Sequence, residues 1–81
     1  MGAKLSGNFR IMNSDALRTR AARQDDPRHV FYAAMLSSRT YDDYLARVGS
    51  ITVQPETTAY AVTGEMEIRY CRDKRGWIVN A

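Results

Sequence analysis

Along the chain the spacing of apolar positions changes character twice. Met1 to Asn13 holds two glycines and no sustained period, and reads as an arm in which Leu5, Phe9 and Ile11 alternate enough for a short strand. Ser14 is placed to cap a helix, with Asp15 in its first turn and Arg23 near its end, although only Leu17 and Ala21 form an apolar stripe. Asp26-Pro27 is a sharper start signal, an N-cap followed by proline at the first helical position. The run Val30 to Leu36 that follows is apolar on every side and predicts a central, covered helix. Thr40 caps a third helix, with Asp43 three residues on. Its Tyr41, Tyr44, Leu45 and Val48 fall at i, i+3, i+4 and i+7, and Gly49 supplies the stop.

From Ser50 the period becomes two. Ile51 and Val53 alternate before a turn at Pro55-Glu56. Tyr60, Val62, Met66, Ile68 and Tyr70 then share one face, opposite Ala61, Thr63, Glu65, Glu67 and Arg69, with Gly64 as a bulge or hairpin turn. Asp73-Lys74-Arg75-Gly76 reads as a turn before a last strand, Trp77-Ile78-Val79. The expected fold is α+β: two to three N-terminal helices packed on a C-terminal three- to four-stranded antiparallel meander. It divides into an arm (1–13), a helical part (14–49) and a β meander (50–81) within one domain. Phe31, Ala34, Leu36, Tyr44, Leu45, Val48, Val62, Met66 and Ile68 are the expected core.

Composition narrows the classes. At 81 residues and 44% hydrophobic content the chain supports one compact core. With one cysteine, Cys71, an internal disulfide is impossible, and Cys71 with His29 falls short of a four-ligand zinc site. No metal or cofactor is expected. No run has the length of a membrane span and Met1 to Arg10 lacks the apolar stretch of a signal peptide, so a cytoplasmic location without membrane contact is the expectation. The net charge of +3 is unevenly spread: six cations against three acids in 1–28, two against five in 29–67, four against one in 68–81. Basic ends therefore flank an acidic middle, an arrangement suited to an anionic partner.

Catalytic chemistry is not indicated. His29 is the sole histidine and has no nucleophile placed beside it; Glu65 and Glu67 read as solvent-facing residues of an amphipathic strand. Cys71 lies near Arg69 and Arg72, which would lower its pKa, but a lone thiol without a histidine partner is usually inert. No phosphate loop or dinucleotide fingerprint is present.

The segment Arg69-Tyr70-Cys71-Arg72-Asp73-Lys74-Arg75-Gly76-Trp77 gathers four cations and two rings at an expected hairpin tip. Cations there would neutralise phosphates while Trp77 stacks on a base; equally, Tyr70 and Trp77 could be core rings and the basic turn simply solvated. With Arg18, Arg20 and Arg23 of the N-terminal segment, these residues make nucleic acid the slightly favoured partner of a non-enzymatic binding module. A winged-helix arrangement, with Arg72 to Gly76 as the wing, would put Asp42 and Asp43 at the groove-reading position, where phosphates repel them. The segment Glu67 to Arg72 with Trp77-Ile78-Val79 also resembles the central hairpin of small basic toxins of the RelE/ParE type, over the last third of the chain. That resemblance implies an RNA-cleaving toxin, and carries over no catalytic residue. The rival class is a protein-interaction or structural protein: an inhibitor, an assembly factor, or a coat component of a phage or similar element, with a homo-oligomer among its forms. Five tyrosines, a tryptophan and many arginines suit an interface, and the acidic face of Asp42 and Asp43 could meet a neighbour's basic patch.

Overall fold

A computed structural model describes residues 4–81 of the chain; Met1 to Ala3 of the expected arm lie outside the described residues. It contains four helices and two small antiparallel sheets, a mixed α+β fold whose strands are interspersed among the helices. The order is β1 (Phe9–Ile11), α1 (Ser14–Ala21), α2 (His29–Ser37), α3 (Tyr41–Tyr44), β2 (Thr52–Val53), β3 (Val62–Thr63), α4 (Gly64–Tyr70) and β4 (Ile78–Asn80). Helices α3 and α4 each run on into a wider, π-helical segment, Leu45–Gly49 and Cys71–Arg75 respectively.

Each helix start has a local cause. Asn13, rather than Ser14, caps α1 by accepting the Ala16 N–H at 3.0 Å. The Asp26 carboxylate closes a turn instead of capping α2 directly: it accepts the Arg28 N–H at 2.9 Å, and the helix begins at His29. Thr40 caps α3 through the Asp43 N–H, as its sequence position predicts.

The C-terminal meander is not formed. The ladder β2–β3 is two residues long, with Thr52 opposite Thr63. The stretch expected as strand and turn, 64–75, is helical. Thr63 accepts the Met66 N–H at 3.1 Å as the N-cap of α4, acids occupy the first turn and Arg69 the last, and Glu65 pairs with Arg69 one turn on at 3.3 Å. Gly76 ends the helix in the left-handed conformation (φ 69°), donating its N–H to the Cys71 carbonyl. The hairpin tip is therefore a helix C-terminus, and the likeness to the toxin hairpin goes with it.

The chain's last strand instead meets its first. β4 pairs antiparallel with β1, Phe9 opposite Asn80 and Ile11 opposite Ile78, and the Ala81 N–H donates to the Asn8 carbonyl at 3.0 Å. The core between these elements holds Phe9, Leu17, Phe31, Tyr32, Met35, Tyr41, Tyr44, Ile68, Cys71 and Ile78. Of the expected core, Ala34, Val48 and Val62 are buried too, Leu36 and Leu45 are half-buried, and Met66 is exposed. Met66 faces outward because its expected face belonged to a strand that does not exist. α1 packs along α2 and plants Leu17 in the core with no exposure, a firmer anchorage than its thin stripe suggested.

Candidate functional site

A cleft of about 240 Å³ opens beside α4. Its floor is a polar cluster inside the core. Glu67, 4% exposed, accepts the Tyr32 hydroxyl at 2.6 Å and the Arg75 guanidinium at 2.6 Å through one carboxylate oxygen. The same Arg75 nitrogen donates to the Tyr32 hydroxyl at 3.2 Å and approaches the Cys71 sulfur at 3.4 Å. Glu67, Cys71 and Arg75 follow at steps of four. In an ideal α-helix eight residues overshoot two turns by roughly 80°. The π-helical winding of Cys71–Arg75 turns less per residue, and so swings Arg75 back over Glu67.

This cluster is tuned for a fixed charge pair. Burial, reinforced by the hydrogen bond to Glu67, pushes the Tyr32 hydroxyl up to about 12. Burial pushes the Cys71 thiol up to about 11, against the opposing Arg75 hydrogen bond; the lowered thiol expected from Arg69 and Arg72 is not seen. Burial also raises Tyr44, whose hydroxyl donates to the Gly64 carbonyl at 2.7 Å. At neutral pH these hydroxyls and the thiol stay protonated. Glu67 is not the solvent-facing carboxylate its strand reading implied; Glu65 alone is.

The cleft walls are of another kind. Tyr60, Met66 and Tyr70 line it with 62%, 43% and 50% of their surface exposed. Tyr60 is held out by a loop tied through Gln54, whose amide donates to the Thr58 and Tyr60 carbonyls at 3.1 and 3.3 Å. Arg28 forms the far wall, itself clamped by Asp26 at 2.7 Å with 13% of its side chain exposed; that hydrogen bond holds the Asp26 carboxyl below its ordinary value.

The basic residues singled out from the sequence separate into three groups. Arg20, Arg75 and Trp77 come together: both guanidiniums lie over the half-buried indole, 5.6 and 4.7 Å from its ring centroid, and Arg75 also covers Tyr70 at 4.7 Å. Arg72 is turned inward, 7% of its side chain exposed, bound to Asp73 at 2.7 Å and lying over the Tyr41 ring. Arg18, Arg23 and Arg69 sit outside in looser ion pairs with Asp15, Asp25 and Glu65 at 3.6, 3.7 and 3.3 Å, and Lys74 is exposed. Asp42 and Asp43 remain outward as expected, Asp43 paired with Arg47 at 3.2 Å.

Sequence reasoning missed Tyr32, Glu67, Tyr60, Met66 and Arg28. A signal for Glu67 existed, since Glu67, Cys71 and Arg75 recur at steps of four once 64–75 is taken as helix. Among the described residues no group of three or more His, Cys, Asp and Glu side chains is placed to hold a metal, and no helix is long and apolar enough to cross a membrane. Comparison with protein families, with curated proteins and with solved structures gives no match.

Proposed function

We propose that the chain is a non-enzymatic binding module that docks a segment of another protein on the α4 cleft, by means of one apolar side chain. The observation that carries this is the convergence of three exposed apolar side chains, Tyr60, Met66 and Tyr70, on a single small cleft with a buried, hydrogen-bonded floor. Aromatic residues, methionine and arginine are the types enriched where proteins meet. About 240 Å³ is below the usual size of a drug-like pocket, and suits one side chain of a partner better than a free metabolite. Charge supports the same choice. Seven of the nine acids are ion-paired with arginines, so much of the positive surface suggested by the sequence is already countered within the molecule.

Single-stranded nucleic acid is the second reading. The exposed rings of Tyr60 and Tyr70 suit stacking, and the loose pairs of Arg18 and Arg23, with Lys74, can open towards phosphates. The two are separated by selecting a random peptide library on the protein and, in parallel, titrating 20-mer RNA and DNA at low and moderate salt. Peptides with an aliphatic or aromatic anchor should emerge, and Tyr60→Ala with Tyr70→Ala should weaken them about 30-fold or more while leaving the fold intact. No selected peptide, together with oligonucleotide binding that falls steeply with salt, would replace this proposal by the nucleic-acid one.

A further inference from the structure

Two arginines stand apart from the ion-pair pattern. Seven arginines pair with acids and Arg20 lies on Trp77. Arg10 and Arg39 engage no carboxylate or ring among the described residues. Although distant in sequence, both line one groove of about 390 Å³ between β1 and the end of α2. The backbone fixes them there: the Phe9 N–H donates to the Arg39 carbonyl at 3.0 Å, and Asn8 bridges to Thr40. The half-buried side chains of Ile11 and Leu36 give the same groove an apolar part.

Ser38 lines the same groove. It is 5% exposed, and its Oγ is the one buried side-chain nitrogen or oxygen without a hydrogen-bond partner among the described residues. A buried hydroxyl left unpaired is costly, and native structures rarely keep one without a partner from outside the chain. The groove thus combines two uncommitted guanidiniums, one unsatisfied hydroxyl donor and an apolar part, and it shares no lining residue with the α4 cleft.

We propose that this groove binds an amphipathic oxyanion, its head group between Arg10 and Arg39 with the Ser38 hydroxyl turning outward to donate to it, and its apolar body along Ile11 and Leu36. Guanidiniums recognise carboxylates and phosphates alike by charge-assisted, often bidentate hydrogen bonds. The head group is therefore either a carboxylate or a phosphoryl group.

The test is a titration of the whole chain with octanoate, octyl phosphate and octan-1-ol, followed by amide NMR and calorimetry. At least one anion should bind saturably and shift the amides of Phe9 to Ile11 and Leu36 to Arg39, with octan-1-ol about tenfold weaker or worse. The preferred anion identifies the head group. Arg10→Gln with Arg39→Gln should weaken the anion about tenfold or more, and Ser38→Ala severalfold, with the circular dichroism spectrum retained. Octan-1-ol binding as tightly as the anions, an unchanged affinity in either variant, or shifts centred on Arg18, Arg23 and Lys74 would overturn the assignment.

Discussion

The Arg75 guanidinium meets a carboxylate, a phenol, a thiol and three rings, and its side chain is 17% exposed. Its partner Glu67 is more deeply buried still. A buried pair of this kind adds little net stability over apolar residues of the same shape, because both charges have left water. Losing one partner is another matter. Arg75→Ala leaves the Glu67 carboxylate buried without its counter-charge and should destabilise the fold by about 3–5 kcal/mol in urea unfolding. Adding Glu67→Gln to that variant removes the stranded charge and should recover at least half of the loss. An equal or greater loss in the double variant would mean that the pair acts through packing alone. At this scale the sequence was legible in part. Arg75 was singled out, but as a surface group for a partner; a residue's type shows that it carries charge, and only its neighbours show which acid holds it.

At the scale of elements, the ends of α4 decide more than its interior. The Gly64 backbone lies against the end of the π-helical segment Leu45–Gly49: a Cβ there would stand 2.1 Å from the Val48 carbonyl oxygen. Backbone cannot yield as a side chain would, so Gly64→Ala should cost about 3 kcal/mol or more and loosen α3 from α4. At Gly76 a Cβ would meet nothing within 4 Å, and only the left-handed φ opposes it, so Gly76→Ala should cost about 1 kcal/mol. Comparable losses for the two in thermal unfolding would refute the close-approach account. The first three helices could be read from their caps and periods, to within two residues at each start. α4 could not be read from period, since Tyr60 to Tyr70 alternates as well as any strand, and Gly64 looks like a turn. The winning signals were terminal: a threonine N-cap, acids first, cations last, and a glycine in the αL position. That error also hid the site, because a strand reading sends Glu67 to solvent and Met66 to the core.

For the molecule as a whole, the buried acids of the core set an alkaline limit. Unfolded, Cys71 and Tyr32 release protons near their ordinary values of 9.0 and 10.0; folded, they hold them to about 11 and 12. Above pH 9 the unfolded chain therefore binds fewer protons than the folded one. Stability is full below that point and falls as pH rises towards 12, by up to about 1.4 kcal/mol per pH unit for each group. Cys71→Ala removes the earlier contribution and should keep the urea midpoint level to about pH 10. A midpoint in the natural sequence that stays constant from about pH 8 to 11 would contradict this account.

The pairing of β1 with β4 has a consequence in time and under load. Phe9 emerges from the ribosome well before its partner Asn80, so the ladder cannot close until all of the chain between them has been made. Joining them closes residues 9–80 into one loop, an entropic cost met only after the interior has gathered. Because the two strands run antiparallel, a pull applied ahead of Phe9 and beyond Asn80 loads the ladder one hydrogen bond at a time. It should unzip at low force, the Phe9–Asn80 pair parting first and Ile11–Ile78 last, so a translocating or degrading machine that pulls on either flank would find its weakest seam there.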